Sequence, residues 1–230
     1  MMLNPRLPQE ILEYIVDLRH DDPETLKNCC IVSKSWVPRT RKYLFANIRF
    51  RHAGDLRSWK KTFPDVANSP AYHVRTLFVG CPRLVVAADA EEGGWIQAFS
   101  GVTSLEVDNG NRYLKASQVS LTPFRKFSST LKSLRVCSIL LPYPQLFDLI
   151  RSSPLLEDLS LSGRDDGLDS DNDTHVPKIV APSASPSFTG SLDFDVFGVS
   201  GRVVRQLLDS PNGLHFRKLA FSCNRKEDLR

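Results

Sequence analysis

The stretch Leu131-Lys132-Ser133-Leu134-Arg135-Val136 carries apolar side chains at its first, fourth and sixth positions. Alternation from Ser133 to Val136 puts Leu134 and Val136 on one face of a strand and Ser133 and Arg135 on the other. The same spacing recurs in Val74-x-x-Leu77-x-Val79, Val102-x-x-Leu105-x-Val107, Leu156-x-x-Leu159-x-Leu161 and Phe216-x-x-Leu219-x-Phe221. A sixth copy, Leu192-x-Phe194, has its leading hydrophobe displaced to Phe188. Successive central leucines stand 28, 29, 25, 33 and 27 residues apart. Between them lie candidate helices at Trp95–Phe99, Gln145–Arg151 and Arg202–Leu208, the last with Val203, Val204, Leu207 and Leu208 at helical spacing. Strand, helix and strand at a near-constant interval predict short parallel strands stacked in a curved solenoid.

Both the period and the pattern resemble those of leucine-rich repeats, in a degenerate form. The asparagine that usually follows each strand is missing except at Asn109, so irregular curvature is expected. The widest interval holds residues 163–188, first acidic from Arg164 to Asp173 and then rich in Pro, Ser and Ala. That composition predicts a mobile insertion within a repeat domain spanning 73–230. Asp169, Asp171 and Asp173 open like a calcium loop, but Thr174 stands where glycine is required and Val180 where glutamate is required, so no metal site is expected. The sequence stops nine residues after Phe221 with only Lys226-Glu227-Asp228 as a polar tail. The stack is therefore expected either to end bluntly or to continue in a longer natural product.

The first 62 residues have a different character. They hold 12 Lys/Arg and 7 Asp/Glu, whereas the remaining 168 hold 18 and 19, so the formal excess of +4 originates in this segment. Residues 1–50 read as three helices, followed by a helical linker over 51–72. Pro8 suits a first helical position, with Glu10 in the first turn. Leu7, Ile11, Ile15 and Leu18 draw one apolar stripe, widened by Leu12 and Val16, with Glu13, Asp17 and Arg19 outside it. Asp22 as N-cap and Pro23 behind it start a second helix, whose buried side is expected to be Leu26, Cys29, Cys30 and Val32. Ser33 or Ser35 caps a third helix, with Pro38 in its first turn and Trp36, Leu44 and Phe45 apolar. Such a unit is too small to bury its own apolar surface and calls for a neighbouring domain or a partner.

Leu7-Pro8-Gln9-Glu10-Ile11-Leu12-x-x-Ile15, then Leu26, then Ile31-Val32-Ser33-Lys34-Ser35-Trp36, then Tyr43-Leu44-Phe45 resembles an F-box. It is most similar to the F-boxes of the large mushroom-type fungal families, which open with Leu-Pro-x-Glu-Ile/Leu and close with Val-Cys-x-x-Trp. Ser33 stands where many members carry Cys. The likeness covers residues 6–46, about a fifth of the chain. It implies three helices that dock on a Skp adaptor, joined through it to a cullin-RING ubiquitin ligase. Carried over position by position, it assigns the adaptor contact to Leu7, Pro8, Ile11, Ile15, Leu26, Val32, Trp36 and Leu44.

Composition and motifs narrow the remaining classes. No window approaches 18 consecutive apolar residues, and Met1-Met2-Leu3-Asn4-Pro5-Arg6 lacks the apolar core of a secretory signal. Five cysteines without C-x-x-C spacing then read as reduced thiols of a cytoplasmic or nuclear protein. No nucleophile elbow, phosphate loop, dinucleotide fingerprint or zinc-spaced His/Cys set occurs, and the five histidines are scattered singly. The expectation is a non-catalytic adaptor subunit without a cofactor. Two alternatives stay open. One is a leucine-rich scaffold without a ligase role. The other is a helix-turn-helix-like nucleic-acid binder using Arg39, Arg41, Lys42, Arg49 and Arg51, weakened by the absence of base-reading Asn or Gln from the third helix.

Side chains that alternate with the buried leucines are those a repeat stack presents. They include Phe78, Glu106, Asp108, Arg135, Asp158, Asp193 and Asp195, with Thr76, Ser104, Ser133, Ser160 and Lys218 beside them. Five are acidic and two basic, so this face is expected to lean negative and to suit a partner with a basic segment.

Overall fold

The computed structural model describes residues 8–80, 82–91, 94–108, 121–137, 143–162, 190–195 and 217–222. The expected insertion at 163–188, the expected helix Arg202–Leu208, Leu7 and Asn109 lie outside them. Three helices open the described chain: α1 (Gln9–Asp17), α2 (Pro23–Val32) and α3 (Val37–Leu44). A short 3-10 turn, Lys34–Trp36, leads into α3. Then follow β1 (Asn47–Phe50), α4 (Ala53–Thr62), β2 (Thr76–Gly80), α5 (Pro82–Glu91), β3 (Ser104–Asp108), β4 (Ser133–Cys137), α6 (Tyr143–Arg151), β5 (Asp158–Ser162), β6 (Ser191–Asp195) and β7 (Lys218–Ser222).

The seven strands form one sheet in chain order, every neighbouring pair parallel. The central leucines fall in one row across it: Ile48, Leu77, Leu105, Leu134, Leu159, Leu192 and Leu219. A second row runs Phe50, Val79, Val107, Val136, Leu161, Phe194 and Phe221. From Leu77 to Leu192 the described members of both rows are buried, and they share one core with Val85 of α5 and with Leu146, Phe147, Leu149 and Ile150 of α6. Phe99, Phe124 and Phe127 fill the space between these helices.

A repeated backbone contact holds the register. The carbonyl just before each strand accepts the N–H groups that open the next. Arg75 and Thr76 donate to Ala46 at 2.8 and 2.9 Å, Thr103 and Ser104 to Arg75 at 2.9 and 2.9 Å, and Lys132 and Ser133 to Thr103 at 2.7 and 3.0 Å. Glu157 and Asp158 donate to Lys132 at 2.7 and 3.0 Å, and Ser191 donates to Glu157 at 2.6 Å. Polar backbone groups that would otherwise be orphaned in the bend before each strand are thereby satisfied, at the same place in each repeat.

Several expectations change in detail. The strand Asn47–Phe50 adds a seventh member to the sheet, so residues 47–50 belong to the strand stack rather than to the helices. Residues 51–72 do contain a helix, α4, but its Leu56 and Trp59 are core residues, which makes it part of the helical layer rather than a linker. Asp55 fixes its start, its carboxylate accepting the backbone N–H groups of Arg51 and His52 at 2.7 and 3.2 Å. Trp95–Ala98 is a 3-10 turn, and the helix expected from Gln145 begins at Tyr143.

Candidate interaction faces

In the helical unit the sequence-predicted caps form in part. Asp22 caps α2, its carboxylate accepting the Thr25 N–H at 3.1 Å, and Pro23 occupies the first helical position. The Thr25 hydroxyl and N–H bonds hold the Asp22 carboxyl below its ordinary value. Ser33 caps the 3-10 turn, accepting the Ser35 N–H. Pro8 is not inside α1 but immediately before it, with an extended backbone (φ −53°, ψ 145°) and a carbonyl that accepts from Ile11 and Leu12.

The unit's interior is small. Among the described residues of its helices, Val16, Leu26, Cys29 and Thr40 are buried. Thr40 turns its hydroxyl to the carbonyls of Trp36 and Val37 at 3.0 Å each, and the Cys30 sulfur lies 2.7 Å from that oxygen. Burial pushes the Cys29 thiol up, as expected of an inert packing cysteine. Leu26 is fully buried, so it supports the unit from inside and is not available to touch a partner.

The apolar stripe of α1 faces outward. Ile11 is 47% exposed and Ile15 38%, with Tyr14 and Leu18 exposed on the same helical face. Val32 is 71% exposed and its neighbour Ile31 84%, which corrects the expectation that Val32 is buried. Trp36 and Leu44 are half-buried, and Pro8 is exposed. Of the eight residues assigned to an adaptor contact, Pro8, Ile11, Ile15 and Val32 are therefore open, Trp36 and Leu44 partly open, Leu26 closed, and Leu7 outside the described residues.

The opposite side of α1 is tied down by a polar cluster that helical spacing does not reveal. Asp17 accepts from Arg39 Nε at 2.7 Å and from its terminal nitrogen, and from the Tyr43 hydroxyl at 2.7 Å. Glu13 lies 3.6 Å from the same guanidinium. The Arg39 hydrogen bonds, opposed by partial burial and helped by Tyr43, hold the Asp17 carboxyl at about 2, against 3.8 for an ordinary aspartate. A carboxyl lowered on folding stabilises the folded chain above its unfolded value, and that contribution fades as pH falls toward the folded one. Acid titration of unfolding is therefore expected to show a loss between about pH 4 and pH 2 that Asp17→Asn lacks. Both partners are about a third exposed, so screening reduces its size to about 1 kcal/mol. Identical acid limbs for the two proteins would remove the cluster from the account.

On the sheet, the rows that alternate with the core are half-buried or exposed wherever their side chains are described. One reads Arg49, Phe78, Glu106, Arg135, Ser160, Asp193 and Ala220, and another Asn47, Thr76, Ser104, Ser133, Asp158, Ser191 and Lys218. Of the sequence-predicted presented residues, Thr76, Phe78, Ser104, Glu106, Ser133, Arg135, Asp158, Ser160, Asp193 and Lys218 thus share one surface. The Arg49 guanidinium lies 4.2 Å from the Phe78 ring centroid, a cation–π contact between β1 and β2 that needs their pairing to be seen. Cys137 beside Arg135, and then Glu106 and Asp193, favour the charged guanidinium. Asp158 accepts a hydrogen bond from the Ser191 hydroxyl. One Asp108 oxygen is buried without a partner among the described residues. Asp195 stands between Ser162 and Ser222 in the register. Arg49 is a third basic member of this surface, and it lies at the β1 end, while the acidic members run from β3 to β6.

No group of three or more metal-ligating side chains occurs among the described residues, and no described helix is long and apolar enough to cross a membrane. No family model, curated protein or solved structure matches the chain.

Proposed function

We propose that this chain is a substrate-recognition subunit of a Skp–cullin–F-box ubiquitin ligase in the cytoplasm or nucleus. In this reading α1–α3, from Gln9 to Leu44, are the F-box helices, which dock on the Skp adaptor. The strands are a degenerate leucine-rich-repeat array whose open face holds the target protein. The chain performs no chemistry of its own. It raises the effective concentration of target lysines near the charged ubiquitin carrier.

The observation that carries this reading is the outward apolar face of α1 together with Val32 at the end of α2. Three helices that enclose so few buried side chains, yet turn Ile11, Ile15 and Val32 to solvent, have the form of half an interface. The F-box-like spacing in the sequence falls on these positions.

Co-purification with a Skp adaptor tests it, with Ile11→Ala/Ile15→Ala/Val32→Ala as control. All three side chains are exposed, so the variant is expected to keep its fold. At about 1–2 kcal/mol for each central apolar contact, its affinity is expected to fall about a hundredfold or more. Folded wild-type protein that ignores the adaptor would refute the reading and leave a plain interaction scaffold.

A further inference from the structure

We infer that the open face of strands β4–β7 captures an extended protein segment through its arginine or lysine side chains. The inference rests on the proposed function only for what the captured protein is then used for.

Small side chains shape the place. Ser133, Ser160, Ser191 and Ala220 alternate with the buried leucines where longer residues would fill the surface, and a groove of about 260 Å³ results. Neighbouring parallel strands stand about 4.8 Å apart, so an extended segment crossing them meets several of these positions in turn. Asp158 on β5 and Asp193 on β6 line the groove, and both are exposed. The Ser191 hydroxyl donates to Asp158, which leaves that carboxylate further acceptor sites. Lys218 on β7 is the cation among the lining residues, and Arg135 of β4, beside Ser160 in the register and with its charge favoured by Cys137, Glu106 and Asp193, stands at the edge.

With Glu106 opposite Arg135 in the register, three carboxylates stand against two cations, so the groove and its edge lean negative although the chain as a whole carries a formal +4. The hydroxyls and carboxylates offer many acceptors, matching a guanidinium or ammonium, which only donates. Phosphate-rich partners such as nucleic acid or an anionic membrane meet the wrong sign here. The basic residues of the first 62 positions cannot account for capture of a basic segment either, because they would repel it.

The test uses the full chain and a fluorescein-labelled peptide of alternating arginine and glycine, with a citrulline-for-arginine peptide of equal length as neutral control. Binding is followed by fluorescence anisotropy. Wild type is expected to bind the arginine peptide and not the citrulline one. Asp158→Asn/Asp193→Asn is expected to weaken binding about tenfold, the scale of two partly exposed charge pairs. Lys218→Gln is expected to tighten it about threefold by removing an opposing charge, a gain that misfolding would not produce. Equal binding of both peptides, no binding at all, or binding indifferent to all three positions would overturn the inference. The adaptor complex is assayed separately on the same variants. Charge-dependent peptide capture without adaptor binding would sink the ligase reading and keep the groove, and adaptor binding without peptide capture would do the reverse.

Discussion

Replacing Trp59 by alanine is expected to lower the unfolding free energy by about 3–5 kcal/mol, the range for deleting a buried large aromatic. Trp59 lies in α4, and its ring is surrounded on several sides. Phe45, which follows α3, meets it edge-on at 5.8 Å between centroids, as does Phe50 of β1 at 6.1 Å. Phe63 and Phe99 approach to 4.8 and 5.6 Å. Truncation would strip these rings of a common neighbour and leave a void that they cannot all close. The effect should reach the start of the sheet, because Phe50 and Phe99 bracket β1 and the turn before β3. Trp59→Phe is expected to cost much less. The indole N–H is buried without a hydrogen-bond partner among the described residues, so losing it removes an uncompensated polar group and offsets part of the lost volume. Urea unfolding followed by circular dichroism measures both. A Trp59→Ala protein as stable as Trp59→Phe would show that this cluster does not hold α4 to the sheet.

The second large effect belongs to the leucine row. Leu134→Ala is expected to cost about 2–5 kcal/mol, since Leu134 is fully enclosed between Leu105 and Leu159 in the register. Leu134→Met keeps the volume and should stay under about 1.5 kcal/mol. Arg135→Ala, one position along on the open face, serves as the contrast, because substitutions away from the core usually fall within about 0.5 kcal/mol. If the urea midpoints of Leu134→Ala and Arg135→Ala moved equally, the assignment of the two faces would be wrong.

Much of the strand stack is legible in the sequence because its signal is local. Leu134 and Val136 alternate with Ser133 and Arg135, and that alternation alone separates a buried from an open face. The strand at Asn47–Phe50 carries the same pattern, Phe45-x-x-Ile48-x-Phe50, but it is masked in the sequence because Phe45 also continues the apolar side of the third helix and Arg49 and Arg51 read as a basic cluster. The helix Pro82–Glu91 is equally hard to see, since Leu84, Val85 and Val86 are consecutive rather than spaced by turns.

In α1 the apolar stripe is visible but its direction is not. Ile11, Ile15 and Val16 are all apolar, and periodicity does not say that only Val16 turns inward. Nor does it reveal the contact of Asp17 with Arg39 and Tyr43, which joins residues 22 and 26 positions apart. Pairings at such separations depend on how helices cross, and no spacing rule encodes them.

The carbonyls that align each strand with the next also give the sheet a direction of growth. Ala46 is in place before Arg75 needs it, Arg75 before Thr103, and Thr103 before Lys132. As the chain is synthesised, each new strand finds its template already finished, and no strand waits for one made much later. Because the same carbonyl contact recurs before each strand, intervals as different as 25 and 33 residues between central leucines end in the same register. Connections between strands can therefore lengthen or shorten in evolution while the ladder they join keeps its step.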